Sequence, residues 1–171
     1  MSRSIRPTTR PVSHLVTRPA TRADLPLIEQ LIGELAQYEQ LASEVRFDPA
    51  VLADKLFGAR TYAEVLIGEL DGTAQGFALF FHNFSTFEGR PGIYLEDLFV
   101  RPAARGSGLG KALLAQLASL AIERDCARLE WSVLDWNAPA IGFYQTLGAR
   151  LMDEWTGMRI DGAALMRLGS A

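Results

Sequence analysis

One stretch constrains this 171-residue chain more than any other: Leu98-Phe99-Val100-Arg101-Pro102-Ala103-Ala104-Arg105-Gly106-Ser107-Gly108-Leu109-Gly110-Lys111. An apolar, strand-like run enters a turn with glycine at alternate positions, and an apolar helical pattern follows directly. Such a turn sets backbone N–H groups at the positive end of a helix dipole, and glycine lets an anion approach them closely. A phosphate-bearing ligand is expected here. Two familiar phosphate loops fail on spacing. A P-loop needs glycine where Arg105 stands and Ser or Thr where Ala112 stands, and a dinucleotide fingerprint needs glycine at Lys111.

The rest of the chain alternates strand and helix patterns with no low-complexity linker, so one domain is expected over 14–171 after a flexible leader, 1–13. His14 to Arg18 reads as a strand. Asp24 caps a helix whose apolar face runs through Ile28, Leu31, Ile32 and Leu35, with Pro26 in its first turn. Pro49 to Phe57 is a second helix, stopped by Gly58. Tyr62 to Leu70 and Ala74 to Phe84 form a hairpin across Asp71-Gly72, since both central residues of that turn reach positive φ. Ile93 to Val100 is the next strand, Gly108 to Arg124 the long helix, and Arg128 to Leu134 a further strand. Asn137 caps a helix that Gly148 closes, and two final strands are expected at Arg150 to Trp155 and Ala164 to Leu168. The order β-α-α-β-β-β-α-β-α-β-β describes a mixed α/β sheet.

Charge narrows the ligand. With Arg3, Arg6 and Arg10 of the leader set apart from the 17 basic residues, 14 remain against 20 acidic ones, a net charge of −6. A body that acidic is a poor nucleic-acid surface and attracts small cations. The longest apolar stretch, Ala112 to Ile122, is broken by Gln116 and Ser119 and is too short to span a membrane, so no membrane partner is expected. The single cysteine, Cys126, and the separated His14 and His82 offer neither a disulfide nor a metal site. A reducing, cytoplasmic location fits.

Arg105-x-x-Gly108-x-Gly110 resembles the R/Q-x-x-G-x-G/A turn of the GNAT superfamily of N-acetyltransferases, which binds the pyrophosphate of acetyl-CoA. Tyr94-Leu95-Glu96-Asp97-Leu98-Phe99-Val100 before it and Leu134-Asp135-Trp136-Asn137-Ala138-Pro139-Ala140-Ile141-Gly142-Phe143-Tyr144 after it resemble the diamine acetyltransferase branch, which holds spermidine/spermine and thialysine enzymes. Glu34-Leu35-Ala36-Gln37-Tyr38-Glu39 fits that branch as well, and the likeness runs from about Val16 to Leu168. It implies the GNAT fold, a mixed, mostly antiparallel central sheet flanked by helices. It also implies acetyl-CoA as donor, no metal, a homodimer, and direct attack by the acceptor in a ternary complex.

By the same resemblance, Arg105, Gly106, Ser107, Gly108, Leu109, Gly110 and Lys111 hold the cofactor's phosphates, with Arg101 flanking them, although Lys111 is equally a solvated surface charge. Backbone N–H groups of Leu98, Phe99 and Val100 meet the acetyl oxygen, and Asn137 lies along the pantetheine arm while also capping its helix. Tyr144 matches the tyrosine that protonates the departing thiolate, its alternative being an aromatic core position beside Phe143. An alkyl amine with a pKa of ~10 arrives protonated, and Glu96 matches the carboxylate that removes the proton or attracts the cation. Adjacent strand residues point to opposite faces, so Glu96 and Asp97 are not expected to work as a pair.

The acidic first-helix region of Glu34, Tyr38, Glu39 and Glu44 is placed to receive a second ammonium, its alternative being a solvated helix face; Phe87, Glu96 and Asp97 complete the expected acceptor surroundings, with a structural, supporting role favoured for Asp97. Ser85 and Phe87 stand where the polyamine enzymes carry aspartate and tryptophan, and Val133 to Asn137 leans toward the thialysine-like members. A diamino acid or small diamine is the preferred acceptor. Cys126 falls between helix and strand, away from the turn, so an acyl-cysteine route is not expected. Acetylation of a protein lysine or N-terminus, and a CoA-binding sensor without turnover, remain the alternatives.

Overall fold

The hairpin predicted at Asp71-Gly72 is the simplest element to derive: in the computed structural model, which describes residues 13–170, those residues hold φ of 52° and 77°. They join β2 (Glu64–Leu70) to β3 (Thr73–Ser85). With β1 (Leu15–Pro19), β4 (Arg90–Val100) and β5 (Leu129–Trp131) these make a five-stranded sheet in the order β1-β2-β3-β4-β5, antiparallel except for the parallel β4–β5 pair. A parallel neighbour needs a crossover, which α3 (Leu109–Glu123) supplies. The leader lies outside the described residues apart from Ser13.

Helix α1 (Leu25–Tyr38) buries Ile28, Leu31, Leu35 and Ala36, the apolar stripe its period predicts. With Leu56 of α2 (Pro49–Phe57), they pack on Val65, Ile67, Phe77 and Phe99 of the sheet. Asp24 sits at the cap position of α1, but its carboxylate accepts from the Arg18 guanidinium at 2.8 and 2.9 Å and from the Thr21 amide at 2.7 Å. For α2 the cap is Asp48, which accepts from Ala50 and Val51 N–H.

The β3–β4 ladder carries the irregularity that matters for function. Phe77 pairs with Phe99, Ala78 with Leu98 and Leu79 with Asp97, but Phe80 pairs with Leu95. Glu96 is therefore an extra residue on β4, a β-bulge. Beyond the bulge, the ladder to β5 also ends: β5 pairs only with Ile93, Tyr94 and Leu95.

The chain forms two compact units, one ending at Ser132 and the other spanning Val133–Ala171. The second holds α4 (Ala138–Thr146) and α5 (Gly162–Gly169). Asn137 caps α4, accepting from Ala140 N–H at 3.3 Å, and Gly148 follows its end at φ 91°. The two strands expected at Arg150–Trp155 and Ala164–Leu168 are absent: residues 150–160 are exposed without regular structure, and α5 covers the second stretch. Leu151-Met152 and Asp153-Glu154 break the two-residue alternation a strand needs. The Ala163-Ala164-Leu165-Met166-Arg167-Leu168 run consists of strong helix formers, and a short apolar run carries no period that excludes helix.

Candidate active site

A cavity of about 530 Å³ opens where the last turns of α1, the segment after it and the bulge of β4 meet. Ile32, Leu35, Ala36, Leu41, Val45 and Phe47 form its apolar wall. Glu39, Glu44, Glu96 and Asp97 contribute carboxylates against one guanidinium, Arg46. Sequence reasoning reached Glu44 but missed Leu41, Val45, Arg46 and Phe47, because the 41–47 segment has no periodicity and only the fold brings it to β4.

Glu96 and Asp97 both line this cavity, which corrects the expectation of opposite faces. The alternation argument holds for a regular strand and fails at a bulge. Asp97 lies opposite Leu79, on the sheet face of Phe77 and Phe99, while Leu95 before the extra residue lies opposite Phe80, on the other face. Glu96 absorbs the slip, so two consecutive side chains reach one cavity. Burial pushes the Asp97 carboxyl up to about 6, with the charges of Glu96 and Glu39 adding to the effect. Burial also raises the Glu39 carboxyl from its ordinary value. An ammonium placed beside these groups and Glu96 would favour their charged forms.

Other predicted acceptor contacts fall elsewhere. Glu34 takes Nε and Nη2 of Arg101 at 2.8 Å each and Nε2 of Gln30 at 2.8 Å, and its pKa is lowered, chiefly by the Arg101 hydrogen bonds. Arg101 also donates to the Ala74 carbonyl, so this pair ties α1 to the end of β4. Neither residue lines the cavity, and the Glu34 carboxylate already accepts from Gln30 and Arg101. Tyr38 lies under the Arg105 guanidinium, 4.3 Å from its ring centre, and does not line the cavity. Phe87, 95% exposed at the β3–β4 hairpin tip, does not line it either.

The glycine-rich turn opens directly into the N-terminus of α3. Gly106 and Gly108 hold φ of 77° and 95°, in the left-handed region, and α3 starts at Leu109. The first N–H groups of α3 have no acceptor within the helix and point out of its positive end. A Cβ added at Gly106 would meet nothing within 4 Å, so the turn is open on that side. Leu109 is buried in the core and its N–H donates to Ser107 Oγ at 3.3 Å, while Lys111 is exposed. Arg105 is exposed and donates Nε to the Val100 carbonyl at 3.1 Å. These residues fit a CoA pyrophosphate. Leu98, Phe99 and Val100 lie on the stretch of β4 that has left β5, with Phe99 buried. Asn137 and Tyr144 belong to the second unit, where the Tyr144 ring lies 5.4 Å from that of Phe143.

Residues 29–149 match the family model described as the acetyltransferase (GNAT) family. The chain belongs to this family. As a GNAT protein it is an acetyltransferase, and it resembles relatives over nearly its whole length. It is 34% identical over 168 residues to a thialysine N-epsilon-acetyltransferase of Sus scrofa, covering 92% of this chain and 98% of that one. To an L-ornithine N5-acetyltransferase of Arabidopsis thaliana it is 30% identical, covering 95% of this chain and 92% of that one. Among solved structures, an integron cassette protein from the mobile metagenome of V. cholerae superposes with a TM-score of 0.76 at 28% identity, covering 92% of this GNAT chain and 98% of that chain. No group of metal-ligating side chains and no helix long and apolar enough to cross a membrane occurs among the described residues of this acetyltransferase.

Proposed function

We propose that this acetyltransferase uses acetyl-CoA to acetylate a primary amine of a small cationic acceptor, a diamino acid or small diamine, by direct attack in a ternary complex. The observation that carries this is the cavity: Glu39, Glu96 and Asp97 along an apolar wall suit ammonium groups joined by methylenes. The relatives named for thialysine and ornithine support the same class.

Acetyl-CoA supplies a thioester carbonyl as electrophile. The N–H groups of the Gly106–Lys111 turn, with Arg105, hold its pyrophosphate, and backbone donors of Leu98 to Val100 face the acetyl oxygen. Glu96 accepts the proton of the attacking amine, directly or through water. Asp97 and Glu39 hold the acceptor's charge beside it. Tyr144 gives its phenolic proton to the departing sulfur, and Asn137 steadies the pantetheine arm. The protein acts in the cytoplasm as a homodimer, without nucleic acid or membrane.

CoA release across thialysine, lysine, ornithine, diaminopropane, putrescine and spermidine tests this. Turnover of the short acceptors with spermidine disfavoured is expected. Silence across the panel, with acetyl-CoA bound, overturns the acceptor class.

A further inference from the structure

We propose that Arg46 recognises the α-carboxylate of an amino-acid acceptor, so that the cavity selects a basic α-amino acid over the diamine of the same chain. This rests on the acceptor reading above. Among the described residues that line the cavity, Arg46 is the only basic one. A site built for diamines alone gains nothing from it, since a guanidinium repels every ammonium it meets. Its partner is Glu44, at 3.5 Å, and the two side chains are 77% and 63% exposed. An ion pair this open is among the weakest contacts a protein makes, and its members exchange each other for a ligand at little cost.

Glu44 and Arg46 together present a negative and a positive group at one place, the complement of an α-ammonium beside an α-carboxylate. The planar guanidinium fork binds a carboxylate through two parallel hydrogen bonds. Arg101, which clasps Glu34, and Arg105, which stacks on Tyr38, do not line the cavity. The zwitterionic head is thus read by the segment between α1 and α2, and the reacting amine by Glu96 and Asp97 on β4.

Ornithine and putrescine differ only in the carboxylate, as do lysine and cadaverine. Steady-state acetylation of both pairs by wild type, Arg46→Gln and Arg46→Lys separates the outcomes. In Arg46→Gln, KM for ornithine and lysine should rise about tenfold with kcat nearly constant, as expected when binding common to ground and transition state is lost. KM for putrescine and cadaverine should fall about twofold as the repulsion disappears. Arg46→Lys should recover most of the amino-acid affinity. Parallel shifts in both members of a pair, or no shift in either, would overturn the role of Arg46 while leaving the acceptor class intact. A wild-type enzyme that acetylates none of the four would overturn the acceptor class, and this proposal with it.

Discussion

Glu96 and Asp97 are consecutive in β4, yet both side chains line the same acidic cavity, because Glu96 is the extra residue of a bulge against Leu79 and Phe80. A strand without that slip would give the cavity only one of them. The same place in β4 marks the end of its pairing with β5, so the irregularity that doubles the carboxylates also coincides with the opening of the sheet.

Asp97→Asn should make the protein more stable at neutral pH and less active. Well below the ordinary value of 3.8, folded and unfolded chains both hold the Asp97 proton; between 3.8 and about 6, chiefly the folded chain does. Stability therefore declines as pH rises through that window and stays lower above it. Removing the charge should return ~1–3 kcal/mol at pH 7.5 and much less at pH 4. Urea denaturation at both pH values checks this, and an equal effect at each would contradict it.

Acceptor binding near pH 6 should release protons, because a bound ammonium pulls the Asp97 carboxyl back toward its ordinary range. Calorimetry in two buffers of different ionisation enthalpy measures the release. Uptake, or no exchange, would place the acceptor away from Asp97.

Glu96→Gln should lower kcat/KM most at low pH, where proton removal from the amine is hardest, and a profile parallel to wild type would count against a base at this position. Tyr144→Phe should reduce kcat by roughly 10²-fold with acetyl-CoA affinity held within about twofold. An unchanged rate would take Tyr144 out of the chemistry.

Glu34→Gln should behave as a stability variant. Its loss leaves the half-buried Arg101 without its bidentate partner, at a cost of ~1–3 kcal/mol, while acceptor KM stays near wild type. A tenfold rise in acceptor KM without destabilisation would restore Glu34 to the substrate site.

Gly108→Ala should raise acetyl-CoA KM and cost ~1–2 kcal/mol, because φ of 95° is unfavourable for any side chain. Thermal denaturation and a cofactor titration read the two effects separately.

Local signals made most of the frame legible. The Asp71-Gly72 hairpin, the bounds of α2, the buried stripe of α1 and the capped start of α4 each rest on residues within a few positions of one another. The glycine-rich turn that opens α3 was legible for the same reason, since glycine spacing and the following helix define it locally. The C-terminal segment was misread because a run as short as Ala163 to Leu168 fits either period.

By itself, then, the sequence determined the order of elements through α4, the turn that opens α3 and the acidic character of the chain, all properties of neighbouring residues. Tertiary structure alone decided which charges meet. Whether Glu34 faces a ligand or Arg101, 67 residues away, depends on where the end of β4 passes α1. That Glu96 and Asp97 share a cavity with Glu39 and Arg46 depends on a one-residue slip against β3. Pairing register and long-range contact are set by the packing of whole elements, and no local pattern encodes them.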